Sequence, residues 1–209
     1  MNQNSSAARS KPRPLRERLR EVASAQILQA AEQVFGEQGL HAAKMEAIAA
    51  RAGVAVGTLY NHFEDRHALL AALVANRLRE LSDSLEESLA SSKGQPFEAQ
   101  LTSFSVAFLS FCETKAGLVA LIAEAEPSPL LRKQKAAAGE SVNAGVRELL
   151  KRGVQAKKIA AAQVASLAIL YRGMLRSAVE DTRNHPQSKR SAGQWAKEIS
   201  ALVLRGAAN

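Results

Sequence analysis

The residues with the clearest chemical potential lie close together in the first third of the chain. Gly57, Thr58, Tyr60, Asn61 and His62 offer hydroxyl, amide and imidazole groups that donate and accept hydrogen bonds, beside a backbone that a partner can approach closely. A positive charge flanks the set on each side, Lys44 upstream and Arg66 downstream. This combination predicts recognition of a polar, negatively charged partner.

The sequence offers little for bond-making chemistry. It has no nucleophile elbow, no phosphate-binding glycine loop and no cluster of His, Cys or carboxylate residues at metal-ligand spacing. His62 and His67 stand five residues apart, on different faces of a helix. Cys112 is the single cysteine and lies in an apolar run, so we expect a small buried side chain, with redox sensing as the alternative. We therefore predict no enzyme, no cofactor and no metal site.

Two short helices joined by a turn are predicted to position the hydrogen-bonding set. Apolar residues recur at helical spacing from Met45 to Ala52, Gly53 ends that helix, and a second one runs from about residue 56 to 63. This is the spacing of a helix-turn-helix. If Leu59 and Phe63 face inward, the advance of about 100° per residue turns Gly57, Thr58 and Asn61 outward, with Tyr60 and His62 oblique to them. That face would be free to contact base edges.

The remaining pattern predicts helices throughout. A first helix is expected from about residue 22 to Gly39, and a long fourth helix after an N-cap at Asp65. Beyond the break at residues 91–96 we expect helices at about 97–113, 116–125, 128–152, 162–183 and 190–206. The predicted fold class is all-α: a three-helix helix-turn-helix domain joined by a long fourth helix to a larger helical domain.

Three regions are predicted along the chain. Residues 1–20 form a mobile basic arm, because Pro12 and Pro14 oppose an early helix, and it is either a solvated tail or a DNA contact. Residues 21–68 form the helix-turn-helix domain. Residues 69–209 form a helical effector-binding and dimerisation domain.

Residues 24–75 resemble the DNA-binding domain of the TetR family of bacterial regulators. The resemblance lies in ILQAAEQVFGEQGL and in MEAIAARAGVAVGTLYNHFEDRHALLAALV. It implies that residues 55–62, including Ala55 and Val56, lie in the major groove, that Tyr60 contacts a phosphate, and that Arg66 is the basic anchor. Lys44 stands near the place where the family often has a Ser or Thr N-cap, and Val56 where it often has a polar residue.

The resemblance also implies a ligand pocket and a dimer interface in the second part of the chain. Phe104, Phe108 and Phe111 form a stripe that fits either core packing or pocket lining, with Arg172 as a candidate polar group. The last two helices carry apolar residues that could close a four-helix bundle with a second subunit or pack within one chain. These candidates are Leu167, Tyr171, Leu175, Trp195, Ile199 and Leu202.

Charge and hydropathy restrict the partners. A net charge of +8 and a pI near 9.9 suit a polyanion, although they also fit plain solubility or an anionic membrane surface. No apolar run approaches the ~18 residues of a membrane span and no secretory segment is present, so we expect a cytoplasmic protein.

Taken with the resemblance, these features lead us to expect a homodimeric regulator that binds a palindromic DNA operator and a small apolar ligand. By the family's commoner mode, we expect a repressor. The alternative is a non-specific, architectural DNA-binding protein.

Overall fold

In a computed structural model, which describes residues 14–124, 129–185, 187 and 190–207, every regular element is helical. The predicted all-α class is confirmed. The first four helices are α1 (Leu15–Gln38), α2 (Met45–Ala52), α3 (Val56–His62) and α4 (Arg66–Ser91). Next come α5 (Phe97–Thr114), α6 (Ala116–Glu124) and α7 (Pro129–Gln155), and then, after a 3-10 turn at Ala161–Gln163, α8 (Val164–Asn184) and α9 (Ala192–Ala207).

The first helix begins earlier than predicted. It starts at Leu15 rather than near residue 22, directly after Pro14, so the last residues of the predicted arm are helical. Proline at a helix start costs little because the N–H that it lacks has no intrahelical acceptor there. The first turns have no buried residues, so apolar spacing could not reveal them. The rest of the predicted arm, residues 1–13, lies outside the described residues.

The chain divides into two compact units, Met1–Leu69 and Leu70–Asn209. In the first unit, α1 packs against α2, and α2 packs against α3. Ile27 and Phe35 of α1, Ile48 of α2 and Leu59 of α3 are fully buried. This small core fixes how α3 is presented.

In the second unit, α5 lies at the centre and packs against α7, α8 and α9. Leu101, Phe104, Leu149 and Tyr171 are fully buried in a continuous apolar core. Tyr171 of α8 and Ser105 of α5, both buried, share a hydrogen bond of 2.8 Å between their side-chain oxygens. Burial raises the pKa of this phenol, so Tyr171 stays neutral.

Candidate functional site

The turn between α2 and α3 has the geometry that its glycine makes possible. Gly53 has φ 69° and ψ 28°, in the left-handed region that costs glycine little. Its N–H donates to the carbonyl oxygens of Ala49 and Ala50, and the Val54 N–H donates to Ala49 at 3.0 Å. The turn therefore ends α2 within one residue and leads directly into α3.

One side of helix α3 is buried against the core of the first unit, and the other side is exposed. Leu59 is 0% exposed and Phe63 is 8% exposed, as the packing prediction required. Tyr60 is 46% exposed, and Thr58 and His62 are partly exposed. The other candidate DNA-contacting residues of this segment are also exposed, namely Ala55, Val56, Gly57 and Asn61. Within the first unit, α3 thus presents an exposed surface of polar groups and small apolar ones.

The two flanking cations differ in their surroundings. Lys44 is exposed at the N-cap position of α2, where no side chain caps the helix. Arg66 is half-buried at the start of α4, and its Nη1 donates to the carbonyl oxygen of His41 at 2.8 Å. Arg66 therefore fixes the loop that precedes α2, while its guanidinium keeps further N–H donors. Asp65, the predicted N-cap, accepts a hydrogen bond of 2.7 Å from the Ala68 N–H.

Two further cations lie beside α3. Arg16 and Arg20 of α1 share a surface groove with Thr58, Asn61 and His62. Both arginines belong to the predicted mobile arm, and nothing in the sequence pattern connects them with α3. The residues around them in α1 are exposed, so apolar spacing gives no sign of a helix there. The one available signal is that both arginines follow Pro14, a residue that is tolerated at a helix start.

An ion pair fixes α2 against α1. Both terminal nitrogens of Arg51 donate to the carboxylate of Glu37 at 2.8 Å, in a two-pronged arrangement. The hydrogen bond from Arg51 lowers the pKa of Glu37 below its usual range. Apolar spacing gave no sign of this contact, because both side chains are on the surface.

The second unit contains an apolar cavity of about 320 Å³. Of the predicted ligand-binding residues, Phe108, Phe111 and Arg172 line it. Phe104 does not, because it is fully buried in the core, where its ring centroid lies 6.3 Å from that of Tyr171. Phe104 therefore packs in the core, which is the alternative role that the spacing of the stripe allowed. The stripe divides because only one side of α5 faces the cavity.

The residues predicted for a dimer interface also divide. Leu167, Tyr171, Leu175 and Ile199 are buried within the chain itself, which fits the alternative of packing within one chain. Trp195 is partly buried against the same core, below the guanidinium of Arg190 at 4.7 Å. Of the predicted set, Leu202 is exposed, at 56%. Apolar spacing marks a buried face but does not say whether the same chain buries it.

Cys112 is partly buried and lines two cavities, the larger one and a smaller one of about 90 Å³. Burial raises the pKa of its thiol to about 11, so the reactive thiolate is scarce at neutral pH.

Among the described residues, no three His, Cys, Asp or Glu side chains gather in a way that could hold a metal ion. In the same part of the chain, no helix has both the length and the apolar character needed to cross a bilayer.

Residues 27–73 match the family described as "Bacterial regulatory proteins, tetR family". The HTH-type transcriptional regulator UidR of Escherichia coli K12 is 44% identical over 48 residues, which is 23% of this chain and 24% of UidR. The match to UidR thus covers about a quarter of that relative. The HTH-type transcriptional activator FasR of Mycolicibacterium smegmatis is 30% identical over 148 residues, 69% of this chain and 67% of FasR.

The fold has solved counterparts. The crystal structure of FadR from Bacillus subtilis, in complex with stearoyl-CoA, superposes with a TM-score of 0.73 at 20% identity and covers 87% of this chain and 98% of FadR. PfmR of Thermus thermophilus, a TetR family transcriptional regulator, superposes with a TM-score of 0.67 at 23% identity over 86% of this chain and 97% of PfmR. At these identities the likeness establishes the fold, whereas the match to FasR extends over most of both sequences. Helix α3 is buried on one side and exposed on the other, residues 27–73 match the family, and FasR matches over two thirds of both sequences. This chain therefore belongs to the TetR family of helix-turn-helix transcriptional regulators.

Proposed function

We propose that the chain acts as a homodimeric repressor that reads a palindromic DNA operator through α3 and responds to a small-molecule ligand. The observation that carries the proposal is that one side of α3 is buried and the other is exposed. Leu59 and Phe63 anchor it to the core of the first unit, while Asn61 and its neighbours remain exposed. A short helix with this presentation fits the major groove.

The residues around α3 are assigned two roles. Lys44, Tyr60 and Arg66 contact phosphates, which sets affinity and orientation but not sequence preference. Arg16 and Arg20 join them, because both lie in the groove beside α3. Base edges are contacted by the remaining exposed or partly exposed residues of this segment, namely Ala55, Val56, Gly57, Thr58, Asn61 and His62.

Two copies of α3 are needed for a palindromic site, at a spacing of roughly 34 to 36 Å or somewhat more. The exposed apolar side chains of α8 and α9 support a dimer through these helices. Ile169 and Leu170 of α8 are 64% and 60% exposed, and Leu202 of α9 is exposed as well. Large apolar side chains left in water on neighbouring helices favour burial against a second subunit.

Ligand control is supported by the cavity of the second unit. Its volume of about 320 Å³ lies within the range of small-molecule sites. FadR of Bacillus subtilis holds stearoyl-CoA in its crystal structure, and a curated relative from the same organism is named a fatty acid metabolism regulator protein. A ligand in this cavity would change operator affinity by binding one of two DNA-affinity states more tightly than the other. Since the partner is genomic DNA, we propose that the protein acts in the cytoplasm.

The first experiment is a selection of random DNA duplexes by the full-length protein, followed by band shifts against unrelated competitor DNA. We expect a palindromic consensus that resists competition. Uniform binding of all duplexes would instead support the architectural alternative. A reporter under the selected operator then gives the sign of regulation, which matters because FasR is named an activator.

Asn61→Ala tests the assigned base contacts. We expect loss of discrimination at one or two operator positions, worth about 1 to 3 kcal/mol at each base pair that Asn61 reads. Asn184→Ala, an exposed asparagine at the end of α8, is the matched control and should leave the ranking of operator variants unchanged. An identical ranking for Asn61→Ala and the wild type would remove Asn61 from the set that contacts bases.

A further inference from the structure

The cavity of the second unit has an apolar interior. Leu81 of α4, Leu118 of α6 and Leu175 of α8 line it and are buried, and the rings of Phe108 and Phe111 from α5 complete its walls. Such walls exclude a polar ligand from most of the volume. An aliphatic chain or a ring system is the chemistry that fits them.

Four cations line the same cavity. They come from two helices and from the α5–α6 junction: Arg77 of α4, Lys115, and Arg172 and Arg176 of α8. Among the residues described as lining this cavity there is no aspartate or glutamate. Arg77 is also held by Glu80, one turn further along α4. The cavity therefore combines an apolar interior with an excess of positive charge.

Arg172 and Arg176 are the cations available to a ligand. Arg172 is half-buried, and neutral groups hold it in place: its Nε donates to the Ala168 carbonyl oxygen at 3.0 Å and its Nη1 donates to Oδ1 of Asn143. Arg176 lies one helical turn further on and is exposed. Within the described part of the chain, neither guanidinium has a carboxylate at salt-bridge distance. The charge of Arg172 contributes to the lowered pKa of Glu140, but no carboxylate bonds to the Arg172 guanidinium directly. A half-buried cation with no directly bonded carboxylate favours an anion, and charge-assisted hydrogen bonds are among the stronger ones.

Resting on the proposed function, we propose that this cavity is the site of a single-chain amphiphile with an anionic head, whose chain fills the space between Phe108, Leu118 and Leu175 and whose head is held by Arg172 and Arg176. A neutral apolar ligand would fill the same space but leave both guanidinium groups without a directly bonded anion. A cationic amphiphile would be repelled. The head can be the carboxylate of a fatty acid or the phosphates of an acyl-CoA thioester, since both place negative charge at one end of an alkyl chain.

The test is isothermal titration calorimetry on the full-length protein without DNA, using four twelve-carbon probes below their micelle concentrations. The probes are dodecanoate, dodecanoyl-CoA, dodecanol and dodecyltrimethylammonium. We expect at least one of the two anions to bind roughly tenfold or more tightly than dodecanol, and the cation not to bind. Binding of dodecanoate alone identifies the carboxylate, binding of dodecanoyl-CoA alone identifies the phosphates, and binding of both identifies the shared chemistry. Equal affinity for dodecanol and the anions, or no binding of any probe, would overturn the proposal.

Two variants locate the head group. Arg172→Gln and Arg176→Gln should each weaken binding of the anion by roughly tenfold and leave dodecanol unchanged. Within the described residues the Arg176 side chain is exposed and makes no hydrogen bond or ion pair, so Arg176→Gln remains informative if Arg172→Gln fails to fold. Lys151→Gln, which removes an exposed cation of α7 away from the cavity, is the charge-matched control and should bind like the wild type.

Operator binding is measured in parallel on the same protein samples. Arg172→Gln and Arg176→Gln should still bind the selected operator without ligand. If the wild type binds operator but no anion, the ligand proposal alone is wrong. If the wild type does not bind operator, the proposed function is wrong.

Discussion

At the scale of single residues, Tyr171 shows how a polar group can be essential to the core. Its hydroxyl and the Ser105 hydroxyl are both fully buried and bond to each other at 2.8 Å. Removing one partner leaves the other without a hydrogen bond in an apolar environment.

Tyr171→Phe should therefore lower the free energy of unfolding by about 1 to 3 kcal/mol. The measurement is urea denaturation, with the slope of the unfolding curve used to check that two-state behaviour is retained. Tyr60→Phe is the matched control, since Tyr60 is exposed and should leave stability within about 0.5 kcal/mol of the wild type. Equal stability of both variants would show that the buried pair is not worth more than a surface hydroxyl.

Arg66 combines a structural contact with a proposed DNA contact. Arg66→Ala should lower affinity for every DNA sequence alike and reduce the dependence of log affinity on log salt by about 0.9 per subunit, as expected for one lost phosphate contact. It should also lower the melting temperature, because the His41 carbonyl loses its donor. Arg79→Ala, an exposed arginine further along α4, should change neither quantity. A lower melting temperature with an unaltered salt slope would restrict Arg66 to the structural role.

At the scale of elements, the two glycines of the helix-turn-helix differ in backbone conformation alone. A Cβ added to either Gly53 or Gly57 would meet no atom within 4 Å, but Gly53 has φ +69° whereas Gly57 lies inside α3. Gly53→Ala should thus cost about 1 to 2 kcal/mol of stability through backbone strain. Gly57→Ala should leave stability unchanged or raise it by up to about 1 kcal/mol, because alanine favours helix, while it weakens operator binding by adding a methyl group to the contact face.

Thermal unfolding and band shifts on the two alanine variants measure both effects. A Gly57→Ala protein that binds operator like the wild type would show that α3 does not approach DNA closely at this position.

A helix can be predicted from the sequence where it buries apolar residues at regular spacing or ends at a glycine. The positions of α2 and α3 followed from apolar spacing and from Gly53, and burial of Leu59 and Phe63 bears this out. The start of α1 did not follow, because its first turns bury nothing. Contacts between distant surface residues, such as Arg51 with Glu37, leave no periodic trace in a sequence.

The apolar faces of α8 and α9 show the corresponding limit for interfaces. Spacing identified Leu167, Leu175 and Ile199 correctly as residues that avoid water, but the structure buries them within one chain. Ile169 and Leu170 lie outside the buried face of α8, and periodicity treats them as exceptions to the pattern. A pattern of burial therefore predicts the core better than it predicts the surface left for a partner.

At the scale of the whole molecule, exposed apolar residues on α8 and α9 should control assembly. Leu202→Glu should convert the proposed dimer to monomers, because it would place a charge on the exposed apolar surface that the proposed interface buries. Operator affinity should fall by about a hundredfold or more, since the second half-site no longer benefits from tethering. Analytical ultracentrifugation gives the first quantity and band shifts the second.

Leu130→Glu on α7 is the matched control, an exposed leucine outside α8 and α9. It should remain dimeric. A Leu202→Glu protein that sediments like the wild type would place the interface elsewhere.

The location of Trp195 has a consequence for following the unfolding of this protein. The chain has a single tryptophan, and it lies in α9, in the second of the two units. Its fluorescence therefore reports the melting of that unit only, whereas far-ultraviolet circular dichroism sums over the helices of both. If the DNA-contacting unit melts first, ellipticity will fall before tryptophan emission changes, and the gap between the two curves will give the stability of each unit without cutting the chain.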